Sequence, residues 1–137
     1  MDRQDAYERK LRQIIERDCD GSRLNDTKWM ELLEVLRDLR LRYRVKFLDR
    51  NEPSVWRYGI QGGRNSYLPT PYIEGPSSPV KALAIEWVEI DASDLSGIHV
   101  EDLAAEVERR LMAVGVSYTA TSSLITVIGH IRRPPPQ

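Results

Sequence analysis

Between Leu41 and Leu48, apolar and charged side chains alternate at every step. Leu41, Tyr43, Val45 and Phe47 fall on one side, and Arg42, Arg44 and Lys46 on the other. An extended chain sends successive side chains to opposite faces, so this stretch predicts a strand with a greasy side and a cationic side. Ahead of it the period is helical. Tyr7, Leu11, Ile14, Ile15 and Cys19 form one stripe over 5–19, with Glu8, Arg9, Lys10, Arg12, Glu16 and Arg17 opposite it. Gly21, in Asp20-Gly21-Ser22, is suited to end that helix in a left-handed conformation. Asn25-Asp26-Thr27 then supplies caps for a second helix whose stripe is Trp29, Leu32, Leu33, Leu36 and Leu39. The short connection predicts that the two helices pack as a pair. The alternative leaves helix 5–19 peripheral, its stripe serving a partner or a second copy.

After the strand and a turn at 49–53, Val55–Ile60 predicts a return strand. Residues 61–79 are punctuated by Gly62, Gly63, Pro69, Pro71, Gly75, Pro76 and Pro79 and read as one long loop. The run from Val80 to Asp91 is apolar on both sides, as expected of a central strand covered on two faces. Val100, Leu103, Ala104, Val107, Leu111 and Val114 predict a third helix closed by Gly115. Val116–Thr121 and Leu124–Arg132 complete a hairpin across Ser122-Ser123, and 133–137 is a frayed proline-rich tail. The expected fold is α+β in the order α-α-β-β-β-α-β-β, a mostly antiparallel sheet of about five strands carrying about three helices, in a single domain over 1–132.

Composition narrows the function. A chain of 137 residues with a net charge of −1 is not a general polycation for nucleic acid or membrane surfaces. Cys19 is the single cysteine, expected as a small buried hydrophobe rather than a reactive thiol. The first residues lack a secretory pattern and no apolar run reaches bilayer length, so the expected location is cytoplasmic. His99 and His130, the two histidines, lack the spacing and partners of a metal site. Ser122 and Ser123 lack the setting of a nucleophile, and Gly62-Gly63-Arg64-Asn65 lacks the rest of a phosphate loop. No catalytic residue, cofactor or metal ligand is assigned.

What remains is the stripe. Arg42, Arg44 and Lys46 sit within a segment that also holds Arg37, Arg40 and Arg50. Glu86, read as sharing a face with Ala84, Val88 and Ile90, needs a cation, and the stripe is the obvious supplier. Glu89, at an odd spacing from Glu86, is expected on the opposite face, so the two do not form an acid–base couple. Trp56 is the tryptophan best placed for exposure. The candidate interaction surface is therefore Arg42, Arg44, Lys46, Trp56, Tyr67 and Tyr72. It fits a non-enzymatic protein-binding domain. Nucleic-acid binding through the stripe is the first alternative. A small-molecule enzyme using Glu86, Glu89 or His130 beneath loop 61–79 is the second.

Asn25-Asp26-Thr27-Lys28-Trp29, the central Ile85-Glu86-Trp87-Val88-Glu89-Ile90 and the terminal Ile128-Gly129-His130-Ile131 resemble the motifs N-x-T-K-W, I-E-W-(V/L)-E-I and I-x-G-(Y/H)-(I/V) of a group of small uncharacterised bacterial proteins. The resemblance spans roughly 25–132, leaving the first helix outside. This chain departs from the group in its longer Pro/Gly loop and in the less aromatic pair Val55-Trp56-Arg57-Tyr58. The resemblance implies an α+β fold and no particular activity. By analogy with other small single-domain proteins, it suggests an immunity or antitoxin partner of a bacterial toxin. Separately, the stripe of helix 5–19, buried on its own domain or against a second copy, predicts a monomer or weak homodimer.

Overall fold

The computed structural model describes residues 3–58, 72–74, 79–92, 100–121 and 124–134. Its helices are α1 (Arg3–Asp18), α2 (Asp26–Asp38) and α3 (Val100–Ala113). The strands are β1 (Cys19–Ser22), β2 (Arg42–Phe47), β3 (Arg57–Tyr58), β4 (Tyr72–Glu74), β5 (Pro79–Lys81), β6 (Ile85–Asp91), β7 (Thr119–Thr121), β8 (Leu124–Ile128) and β9 (His130–Arg132). Five of them make an antiparallel sheet in the order β3-β2-β6-β8-β7, flanked by two-stranded ribbons β1-β9 and β4-β5. The fold is α+β, as the sequence predicts.

The alternation in β2 is realised. Tyr43, Val45 and Phe47 are buried, while Arg42, Arg44 and Lys46 stand half-buried on the other side. Along the sheet, Val88 and Ile90 of β6 and Ile125 and Val127 of β8 join the same buried side. They meet Trp29, Leu32, Leu33 and Leu36 of α2 and Val107 and Leu111 of α3 in one core. At about 25 cal/mol per Å2 of apolar area, each fully buried Leu, Ile or Val contributes roughly 1.5–3 kcal/mol.

Helix ends follow local chemistry. Asn25 caps α2, its side chain accepting from the Lys28 N–H at 2.9 Å. α3 ends as the sequence predicts: Gly115 has φ +75°, its N–H donates to Met112 and the Val116 N–H donates to Leu111. These are the paired bonds of a Schellman motif, closed by contact-capable buried Leu111 and Val116. α2 ends the same way without a glycine. Arg40 has φ +51° while the Arg40 and Leu41 N–H groups donate to Arg37 and Leu36.

Several expectations need correction. Cys19 leaves the helix and opens β1, and Gly21 is a strand residue paired with Ile131, not a helix cap. The β1-β9 ribbon has no periodic signal because it is only four and three residues long. The expected pairing of the first two helices gives way to packing of α1 beside β1 and of α2 against α3. Leu11 and Ile14 are buried in the common core, so α1 is part of the fold. Tyr7 donates to Asp49 and Lys81 to Glu8, tying it further. The continuous strand from Val80 breaks at a 3-10 turn, Ala82–Ala84. The final strand breaks at Gly129, and Val116–Thr121 contracts to Thr119–Thr121. Part of the long loop is a strand, since Tyr72–Glu74 pairs with Pro79–Lys81. Gly62, Gly63, Arg64, Asn65, Tyr67, His99, Ser122 and Ser123 lie outside the described residues.

Arg133, assigned by the sequence to the frayed tail, is held. Its backbone N–H donates to Asp18 and its guanidinium to the Glu16, Arg17 and Cys19 carbonyls and the Asp20 carboxylate. The last carbonyls of α1 and the residue after it lack helical partners, and a cation there satisfies them.

Candidate functional site

The face of the five-stranded sheet turned away from the core is built by register. Strands β2, β6 and β8 set Arg42 beside Asp91 and Leu124, Arg44 beside Glu89 and Thr126, and Lys46 beside Trp87 and Ile128. Each cation of the stripe meets an acid. Arg42 donates to Asp91 at 3.0 Å, Arg44 Nε donates to Glu89, and Lys46 donates to Glu86 at 3.2 Å. Arg132 of β9 also donates to Glu86 at 2.9 Å, and to the Leu48 carbonyl.

Glu86 reaches this face through a bulge. The register slips between Lys46 and Phe47, so Ile85 pairs with Phe47 and Trp87 with Lys46, leaving Glu86 as the extra residue. Strict alternation places Glu86 with Val88 and Ile90. The bulge instead puts Ile85 and Val88 inside and both Glu86 and Trp87 outside. The expected cation for Glu86 is thus supplied by Lys46, but on the outer face. There Glu86 and Glu89 also lie on the same side of the sheet. With Glu89 and Asp91 there, β6 is apolar on one face, not two.

Two indoles complete the face. The guanidinium carbons of Arg42 and Arg44 lie 5.0 and 4.9 Å from the Trp56 ring centroid, and that of Arg44 lies 5.9 Å from the Trp87 centroid. Arg44 is therefore held by Glu89 and flanked by two aromatic rings, a cation–π arrangement. Trp56 and Trp87 are half-buried, and the neighbouring Val55 is 79% exposed. Tyr72 lies on β4, and Tyr67 is outside the described residues, so neither is placed on this face.

Trp29, Lys28 and Cys19 take structural positions, and His130 is fixed at both ring nitrogens. Trp29 is buried against Gly129, where an added Cβ would lie 2.4 Å from the indole. Lys28 reaches the Val114 carbonyl at the end of α3. Asn25, Lys28, Trp29 and Gly129 thus hold the frame. Cys19 is buried, and burial pushes its thiol above the ordinary range. His130 is 2% exposed, with Nε2 2.8 Å from the Leu83 carbonyl and Nδ1 2.6 Å from Ser22 Oγ. Burial holds its pKa below the ordinary range, against the opposing pull of the Leu83 bond and the Glu86 charge. Among the described residues no group of three or more His, Cys, Asp or Glu is arranged to hold a metal. No helix among them is long and apolar enough to cross a membrane.

Two hollows among the described residues do not suit small-molecule chemistry at this face. One of ≈ 50 Å3, lined by Arg23, Ser117, Tyr118, Thr119, Thr126 and Ile128, adjoins the outer face and is far below ligand size. Another of ≈ 310 Å3 lies along polar positions of α1 alone, where Glu8 is already engaged by Arg12 and Lys81.

Compared with known proteins, residues 11–134 match a family of unknown function, DUF6678, and the chain belongs to it. That span takes in the second half of α1 as well as the three motifs. No curated protein and no solved structure matches the chain.

Proposed function

For this family member we propose a protein-binding role, with the outer sheet face around Arg44 as the contact surface. The observation behind this reading is the Trp56–Arg44–Trp87 cluster. Trp and Arg dominate the energetics of protein interfaces, and here both are half-exposed and held in place before any partner arrives. A side chain already fixed by Glu89 and two rings loses little freedom on binding. Val55, next to Trp56, and Ile128, paired with Trp87, add exposed apolar area beside the cluster. The partner class we name is a bacterial toxin, which the domain would neutralise by covering a functional surface without chemistry of its own.

The pairing of the stripe weighs against nucleic acid. Arg42, Arg44, Lys46 and Arg132 face Glu86, Glu89 and Asp91, so phosphates would compete with carboxylates already bound. Glu86 and Glu89, each neutralised by a cation, are equally poor candidates for acid–base catalysis.

Co-expression with the product of the adjacent gene, followed by co-purification and titration, tests the proposal. A stoichiometric complex that protects cells from that product supports it. Oligonucleotide binding at low salt that weakens steeply as salt rises, with no protein complex, would replace it by the nucleic-acid reading.

A further inference from the structure

We propose that Ser22 is an acylation site, a hydroxyl primed by His130 to take an acyl group from an activated ester or thioester of a small carboxylic acid. This goes beyond the binding face and does not depend on it. Pairing of β1 with β9 sets Ser22 opposite His130. The Leu83 carbonyl can only accept, so His130 Nε2, 2.8 Å away, carries the ring proton and Nδ1 is bare. Ser22 Oγ, 2.6 Å from Nδ1, must therefore donate its proton to it. The ring is fixed at both nitrogens, with a third group orienting the base, as in activated serine nucleophiles on unrelated folds.

Access completes the arrangement. His130 is buried while Ser22 is exposed, and beside Ser22 a Cβ added at Gly21 would meet nothing within 4 Å. The imidazole is kept unprotonated at neutral pH by its burial, and the Glu86 charge favours the imidazolium formed during attack. The sequence conceals all this, since Asp20-Gly21-Ser22 reads as a helix terminus and His130 lies at the far end of the chain.

The step balances without a further reactant. Ser22 Oγ bonds to the acyl carbon as its proton passes to His130 Nδ1. The bond from the acyl carbon to the leaving oxygen or sulfur breaks, and that atom takes the proton from Nδ1. The products are acyl-Ser22 and an alcohol, phenol or thiol.

The full chain treated with p-nitrophenyl acetate tests this, with release of p-nitrophenol followed by absorbance and the acetyl group located by peptide mass mapping. One acetyl at Ser22 is expected, and Ser22→Ala should lose it. His130→Gln keeps an acceptor for the hydroxyl but cannot hold its proton, so labelling of Ser22 should slow by about a hundredfold. In the wild-type chain the rate should rise with pH to a bend below pH ~6.5 and then level off, following the base form of a histidine held below its ordinary value. An unlabelled Ser22 would overturn the proposal. So would a folded His130→Gln chain labelling at the wild-type rate, or a rate climbing steadily through pH ~9 as for an unassisted hydroxyl. If His130→Gln does not fold, the pH profile and Ser22→Ala decide.

Discussion

Substituting Gly129 by alanine tests how the two ends of the chain are locked together. The added Cβ would lie 2.4 Å from Trp29 Cζ2 and 2.6 Å from the Ile85 carbonyl oxygen. Neither neighbour yields easily, because Trp29 is 1% exposed and Ile85 belongs to the central sheet. Nor can Gly129 retreat. Its N–H donates to Glu86 and its carbonyl accepts from Arg23, both at 2.8 Å. Relief therefore costs overpacking of roughly 1–3 kcal/mol plus part of one or two hydrogen bonds at about 1 kcal/mol each, together about 3 kcal/mol. In urea, with a slope of about 1.5–2 kcal/mol/M, the unfolding midpoint should fall by about 1.5–2 M at unchanged slope. Trp29→Phe removes the nearer clash and leaves the carbonyl one, so a double-mutant cycle should show favourable coupling of about 1 kcal/mol. A Gly129→Ala unfolding free energy within about 0.5 kcal/mol of wild type would refute the reasoning.

Arg40→Gly should stabilise the chain by about 0.5–1 kcal/mol, because Arg40 holds φ +51° at the end of α2; thermal melts check it, and destabilisation would mean that the Arg40 side chain matters more than its backbone. Arg133→Ala should cost about 1 kcal/mol and raise amide hydrogen exchange in the last turn of α1, which the guanidinium caps; unchanged exchange there would contradict the clamp. His130 titrates lower folded than unfolded, so below an unfolded value of about 6.5 the unfolded chain binds more protons and stability falls as pH drops toward the folded value. Urea midpoints across that window should slope more gently in His130→Gln, and identical slopes would remove the assignment.

The legible parts of the fold were those where one residue pattern repeats long enough to set a face. The six-residue alternation of β2 and the stripes of α2 and α3 are of this kind, and their burial follows the sequence. Capping chemistry was equally direct at Asn25 and Gly115. The ribbon β1-β9 was not legible, because Cys19–Ser22 has no pattern of its own and is extended only by bonding to a segment a hundred residues away. The site was half legible. Arg42, Arg44, Lys46 and Trp56 could be singled out from charge and alternation, and so could the stripe as the source of a cation for Glu86, but not the face on which Lys46 and Glu86 meet. That depends on the bulge at Glu86, and one extra residue reverses the face of every position before it. The Cys19 stripe misled for a related reason, since helical spacing continues into a residue whose burial comes from the start of a strand.

The binding role of the outer face is tested most directly by Trp56→Ala, with the complex formed with the adjacent gene's product followed by calorimetry. Circular dichroism should first show the variant folded, since Trp56 lies outside the buried core. A central interface tryptophan contributes about 2–4 kcal/mol, so the dissociation constant should rise by roughly 30- to 1,000-fold. An alanine at Gln13, exposed on the far side of α1, should leave it unchanged. A folded Trp56→Ala chain that binds within about twofold of wild type would contradict the account, because a cluster that can be removed without loss of affinity is not the contact surface.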